Sequence, residues 1–67
     1  MRLDGPFSVR LQRLMADRGM TQAEMARRLG VNRSSVHQWY WGINQPSIER
    51  LCELRQILRC SWDELMG

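Results

Sequence analysis

The stretch that decides the fold is residues 20–42, which read MTQAEMARRLGVNRSSVHQWYWG. Thr21 and Glu24 have the T-x-x-E spacing of a capping box, which predicts the start of a helix, and Gly30 predicts its end. A second helix is expected to begin two residues later, with Asn32 as its N-cap. Two helices of about eight and ten residues, joined by a turn of three or four residues that contains glycine, form the helix-turn-helix pattern.

Three further helices are predicted around this pair, one before it and two after it. The first is expected to begin near Pro6 or Ser8. Its apolar stripe, at helical spacing, consists of Phe7, Leu11, Leu14 and Met15. The fourth follows Ser47 as N-cap, and its predicted apolar face consists of Ile48, Leu51, Leu54, Ile57 and Leu58. The fifth begins at Ser61, where the S-x-x-E spacing recurs.

The composition fits one small soluble domain. The chain has 67 residues, 43% of them hydrophobic, which is enough apolar surface for a packed core. No apolar run approaches the roughly 18 residues of a membrane span, and residues 1–6 lack the apolar region of a signal peptide. The spacing of Cys52 and Cys60, together with a single histidine, predicts neither a disulfide nor a metal site. We therefore predict one domain over residues 1–67 that needs no cofactor.

The charge is positive and unevenly distributed. All ten basic residues are arginine, against seven acidic residues, for a net charge of +3. Residues 1–39 contain seven arginines and three acids, whereas residues 40–67 contain three arginines and four acids. The basic half includes the predicted helix-turn-helix, which is consistent with binding to nucleic acid, although the asymmetry alone is modest.

The full pattern resembles the lambda-repressor/Cro-like (XRE-type) helix-turn-helix family. The matching elements are a Thr-Gln helix start, an alanine four residues after the glutamine, Gly-Val and an Asn cap in the turn, then Val36, Trp39 and the closing Gly42. The resemblance covers residues 7–66 and implies an all-α, compact five-helix DNA-binding domain. The helix-turn-helix proper occupies about residues 21–41, with Val36 and Trp39 facing the core.

The resemblance implies that the second helix of the motif, about residues 32–41, reads DNA in the major groove. Its side opposite Val36 presents four side chains that form hydrogen bonds, and we expect these to be the base readers: Arg33, Ser34, His37 and Gln38. The guanidinium of Arg33 suits guanine O6 and N7, and the amide of Gln38 suits adenine N6 and N7. Ser34 discriminates less, and His37 is suited either to a base or to a phosphate. The alternative is an ordinary solvated helix face.

Contacts with the DNA backbone are expected on both sides of this helix. Gln22 resembles the family's phosphate-binding glutamine, and it lies with Thr21 where free N–H groups and the helix dipole favour an anion. Asn44 is the expected contact in the loop after the recognition helix. Trp41 is expected either to lie against the sugar–phosphate chain or to shield the end of that helix.

The sequence departs from the family pattern at Trp41, which replaces a commonly polar residue, and at Met15, Tyr40 and Arg55. An arginine and a glutamate that often pair in the family are replaced here by Met15 and Tyr40, and we predict that these two side chains pack together. Arg55 stands where the family usually has a small residue. Its charged end is therefore expected to reach water or a carboxylate.

A single domain of this kind reads only half of a two-fold DNA site, so we expect a homodimer. The residues left over for the interface are Leu58, Arg59, Cys60, Trp62 and Met66. Trp62 is the expected anchor, because aromatic residues on short exposed helices often mark partner surfaces. The alternative is that Trp62 only covers the small core.

The function expected from these observations is a sequence-specific DNA-binding transcriptional regulator. The compact domain resembles phage Cro-like and other prokaryotic regulators, which implies a cytoplasmic protein that represses by occupying a two-fold operator in double-stranded DNA. The alternative is an antitoxin or adaptor whose main role is to bind another protein. We do not expect an enzyme, because no nucleophile–base set, carboxylate pair or glycine-rich phosphate loop is recognisable.

Overall fold

The computed structural model describes residues 7–67 of the chain, and all regular secondary structure within them is α-helical. The helices are α1 (Phe7–Asp17), α2 (Gln22–Leu29), α3 (Arg33–Tyr40), α4 (Ile48–Leu58) and α5 (Trp62–Met66). The predicted all-α, five-helix fold is therefore confirmed. The expectations placed on residues 1–6, including Pro6 as a helix start, lie outside the described residues.

The predicted helix starts are formed by side chains that accept hydrogen bonds from the first turn. The hydroxyl of Ser61 accepts from the N–H of Glu64 at 3.1 Å, and the Glu64 carboxylate accepts from the N–H of Ser61 at 2.8 Å, which completes a capping box. Thr21 and Ser47 also cap their helices. Asn32 occupies the N-cap position of α3, but its side chain makes no capping hydrogen bond.

The turn between α2 and α3 depends on Gly30. Its φ of 73° lies in the left-handed region, which only glycine adopts without a steric cost. The N–H groups of Gly30 and Val31 donate to the carbonyl of Ala26 at 2.9 and 3.0 Å. These bonds satisfy a carbonyl that the end of α2 leaves open, and the chain can then enter α3 within three residues.

The core is built from every helix. Its buried side chains are Leu11, Leu14, Met15, Met25, Ala26, Leu29, Val36, Trp39, Leu54, Leu58, Cys60 and Leu65. The predicted stripe of α1 is confirmed, with Phe7 packed at the edge of the core. The prediction that Ile48 belongs to the buried apolar face of α4 was wrong, because its side chain is 77% exposed. It is the first residue of α4, where the side chain extends beyond the core.

Side chains of α1 close the carboxyl ends of two other helices. The amide of Gln12 donates to the carbonyl of Tyr40 at the end of α3, at 2.7 Å. The guanidinium of Arg10 donates to the carbonyl of Asp63 in α5, at 2.9 Å. The first bond satisfies a carbonyl at the open end of α3, whereas the Asp63 carbonyl also accepts from the N–H of Gly67 at 2.9 Å. The Arg10 cation suits the negative end of the α5 dipole.

The end of α4 is closed in the same way. Arg59, its C-cap, has a φ of 53°, which is unusual for a residue other than glycine. The guanidinium of Arg18 donates to the carbonyls of Leu58 at 2.6 Å and of Arg59 at 3.4 Å. These contacts between distant parts of the chain hold the left-handed turn that leads into α5.

Candidate functional site

One face of α3 is buried and the opposite face is open to solvent. Val36 is fully buried and Trp39 is 7% exposed, so this side of the helix is fixed against the core. On the other side Arg33, Ser34 and His37 are exposed and Gln38 is partly exposed. All four predicted base readers therefore lie on the accessible part of the helix.

Arg33 is the first residue of α3, at the end that follows the turn. Its side chain is exposed, and none of the ion pairs or side-chain hydrogen bonds among residues 7–67 involves it. Other arginines differ in this respect, since Arg18 and Arg50 bind carbonyls of the domain itself. The guanidinium of Arg33 is thus available for an external partner.

The loop after α3 folds back onto Gln38. The N–H groups of Ile43 and Asn44 donate to the carbonyl of Gln38 at 2.8 and 3.4 Å. The side-chain amide nitrogen Nδ2 of Asn44 donates to Oε1 of Gln38 at 2.6 Å. Sequence reasoning assigned these two side chains to different DNA contacts and missed the bond between them, because the path of the loop carries no local signal for it.

An aromatic group lies at the carboxyl end of α3. The Trp41 ring meets the Tyr40 ring edge-on, with centroids 5.2 Å apart, and lies 6.4 Å from the His37 ring. Trp41 remains 57% exposed. It therefore covers the last turn of α3 and still presents much of its ring to solvent, so the two predicted roles are compatible.

The amino end of α2 presents Thr21 and Gln22. The Thr21 hydroxyl accepts from the N–H of Glu24 at 3.1 Å, which leaves the hydroxyl proton free to be donated. Gln22 is the first residue of the helix and is partly exposed. The free N–H groups of this first turn suit a bound anion.

Two of the five residues predicted to form the dimer interface are not accessible to a partner. Leu58 is fully buried and Cys60 is 6% exposed, because both side chains pack into the core. That part of the prediction is wrong, since these side chains are covered within a single chain. Trp62 and Met66 remain 44% and 45% exposed, and Arg59 is also exposed.

Trp62 is not isolated on this surface. The guanidinium carbon of Arg55 lies 5.3 Å from the centre of its ring, in the geometry of a cation–π contact. The prediction that Arg55 seeks water or a carboxylate therefore missed an aromatic partner. Nε of Arg55 is buried without a hydrogen-bond partner.

The predicted packing of Met15 on Tyr40 stays a prediction. Met15 is 1% exposed, and Tyr40 is partly buried against the same core. The helices that carry them pack together, and the bond between Gln12 and the Tyr40 carbonyl joins them near this point.

Both cysteines are free thiols, Cys52 partly exposed and Cys60 buried. Burial, with a smaller effect from the nearby Glu64 carboxylate, raises the pKa of the Cys60 thiol. Residues 7–67 contain no cluster of three or more His, Cys, Asp or Glu side chains that could hold a metal ion. Over the same range, no helix has both the length and the apolar character to cross a membrane.

Comparison with known proteins identifies similar sequences. The family profile described as the Cro/C1-type helix-turn-helix DNA-binding domain matches residues 10–67. The chain is also 30% identical, over 61 residues, to the HTH-type transcriptional activator BcrR of Enterococcus faecalis. That alignment covers 91% of this chain but 30% of the relative. No solved structure matches the chain.

Proposed function

Because this chain belongs to the Cro/C1-type helix-turn-helix DNA-binding domain family, we propose that it is a sequence-specific DNA-binding regulator of transcription that reads double-stranded DNA with α3. The proposal rests on one observation: one side of α3 is buried in the core and the opposite side is open to solvent. Val36 and Trp39 fix one side in the core, while Arg33, Ser34, His37 and Gln38 lie on the accessible side. A helix held in this way presents hydrogen-bonding groups to base edges in the major groove.

The contacts with the DNA backbone come from both ends of the motif. At the start of α2, Thr21 and Gln22 meet a phosphate where the helix dipole favours negative charge. After α3, Asn44 and the exposed part of Trp41 meet the sugar–phosphate chain. These contacts set the orientation of α3 and provide affinity that is independent of sequence.

The protein acts as a homodimer on a two-fold site, since one domain reads only a few base pairs. Trp62, Met66 and Arg59 form the contact between the two copies, with Trp62 as its anchor. Trp62→Ala is expected to shift the protein from dimer to monomer in analytical ultracentrifugation. A dimer that is unchanged by this substitution would place the interface elsewhere.

Occupation of the site represses transcription by excluding other proteins from it. This mechanism requires only the DNA-binding surface described above. The name of BcrR describes it as an activator, and this chain spans less than a third of that protein. A reporter gene placed behind the selected site distinguishes the two signs of regulation: expression falls for a repressor and rises for an activator.

The test of DNA reading is selection of bound duplexes from a random pool, followed by the same selection with Arg33→Ala and Gln38→Ala. Each variant is expected to lose preference at one base pair, with a cost of about 1–3 kcal/mol in discrimination. Arg13→Ala is the matched control, because Arg13 is an exposed arginine of α1 that lies near Asp17 and Glu64. The proposal fails if the unmodified protein enriches no sequence, or if both α3 variants behave like the control.

A further inference from the structure

We propose that Asn44 is a positioning residue that orients the side-chain amide of Gln38, so that Gln38 donates to an acceptor-rich base edge, that of guanine, instead of pairing with adenine. This inference rests on the proposed function, because it concerns how α3 distinguishes one base pair. It assigns specificity to a residue outside the recognition helix.

The geometry joins the two residues through both backbone and side chain. The loop N–H groups of Ile43 and Asn44 bind the Gln38 carbonyl, which fixes the loop against the last turn of α3. The turn itself requires Gly42, whose φ of 74° is left-handed. A Cβ at that position would lie 3.2 Å from the Ser8 hydroxyl, so the turn also lies close to α1.

The side-chain bond then orients the Gln38 amide. Asn44 Nδ2 donates to Gln38 Oε1 at 2.6 Å, so the oxygen is turned towards the loop and one of its two lone pairs is used within the protein. Both N–H groups of Gln38 Nε2 remain to be donated. In the major groove guanine offers two acceptors, O6 and N7, whereas adenine places the donor N6 beside its N7.

The same arrangement links base reading to the phosphate chain. Asn44 is exposed, and its Oδ1 and the second N–H of its Nδ2 are not used in the bond to Gln38. A phosphate that binds Asn44 therefore also fixes the amide that faces the bases. Loss of Asn44 should reduce discrimination at the base pair read by Gln38, as well as overall affinity.

The experiment measures the relative affinity of four duplexes that differ only at the base pair where Gln38→Ala relaxes the selected sequence. The variants are Asn44→Ala, Gln38→Ala and the double variant. Asn44→Ala is expected to reduce the preference for guanine about tenfold, and the double variant should lose no more than Gln38→Ala alone. Gln45→Ala is the matched control, an exposed amide next in the loop, and should leave the preference unchanged.

A fourth variant, Asn44→Asp, reverses the polarity of the contact. A carboxylate only accepts hydrogen bonds, so it should take an N–H from Gln38 and turn Oε1 towards the groove. Binding to every duplex weakens because the new charge faces phosphates, but the relative preference should move from guanine to a base with a donor, adenine or cytosine. Thermal denaturation of each variant checks that the fold is retained.

The outcomes separate this inference from the proposed function. If the unmodified protein binds without sequence preference, the proposed function fails. If it selects a site but Asn44→Ala weakens all four duplexes equally, the positioning role of Asn44 is overturned while DNA reading stands. The positioning role is also overturned if Gln38→Ala relaxes no base pair, or if adenine is preferred at that pair in the unmodified protein.

Discussion

The guanidinium carbon of Arg55 in α4 lies 5.3 Å from the centre of the Trp62 ring at the start of α5. The contact joins two helices that are separated by a short turn, and it lies beside the surface proposed to form the dimer. Nε of Arg55 is buried without a hydrogen-bond partner, which opposes the stabilisation that the ring provides. The contact gives the Arg55 guanidinium an aromatic partner within the domain.

This relationship predicts coupling between the two side chains. A double-mutant cycle of Arg55→Ala and Trp62→Ala, measured by urea unfolding at one protein concentration, should give a coupling energy of about 0.5–1 kcal/mol. Arg50→Ala replaces Arg55→Ala in the control cycle, since Arg50 binds Glu53 and the carbonyl of Leu29. Additive effects in the Arg55 cycle would show that the ring and the cation do not interact.

Close packing of α2 on α3 predicts that Ala26 tolerates no larger side chain. Ala26 is 4% exposed and lies on the core side of α2. Ala26→Leu should lower the free energy of unfolding by about 1–3 kcal/mol, because the three added carbon atoms overfill the core. Ala23→Leu is the control, on the exposed side of the same helix, and should change stability by less than about 0.5 kcal/mol. Equal effects at both positions would contradict the packing.

The caps predict unequal effects of three alanine substitutions. Ser61→Ala and Thr21→Ala each remove a hydrogen bond to a helix N–H and should cost about 1 kcal/mol in thermal or urea unfolding. Asn32→Ala should cost less, because the Asn32 side chain makes no such bond. A larger loss at Asn32 than at Ser61 would contradict this assignment of the caps.

The raised pKa of the Cys60 thiol predicts slow alkylation. The thiolate is the reactive form, and Cys60 is both buried and protonated to higher pH than usual. In the folded protein near pH 8, iodoacetamide should modify Cys52 before Cys60, as measured by mass spectrometry of the digested protein. In urea the two rates should become similar, and equal rates in the native protein would contradict the burial.

The raised pKa of Cys60 also determines how the free energy of unfolding changes with pH. The unfolded chain releases the Cys60 proton at the ordinary thiol pKa, before the folded protein does. The free energy of unfolding should therefore fall as pH rises above that value. Cys60→Ser, with Cys52→Ser as the control, should remove this part of the pH dependence.

The fold was predictable because its signals are local. Glycine stops, capping residues and helical periodicity act within a few positions, so Thr21, Gly30 and Ser61 mark helix boundaries in the sequence as in the structure. Ile48 was misassigned because periodicity does not show where the core ends.

The sequence predicted which face of α3 forms the candidate site, but not the hydrogen bonds around it. The accessible face of α3 follows from its register against Val36 and Trp39, so the exposure of Arg33 could be predicted. The bonds from Arg18 to the end of α4 and from Asn44 to Gln38 could not, since they depend on how loops and helices meet in space. The burial of Leu58 and Cys60 within one chain was missed for the same reason.

The central claim is that the exposed face of α3 and the groups around it bind duplex DNA. The most direct measurement is affinity for a selected duplex, by fluorescence anisotropy, as salt is raised from about 50 to about 200 mM. A dimer that contacts six to ten phosphates should lose roughly 10³- to 10⁵-fold in affinity over this range. Failure to bind duplex DNA even at the lowest salt would contradict the account.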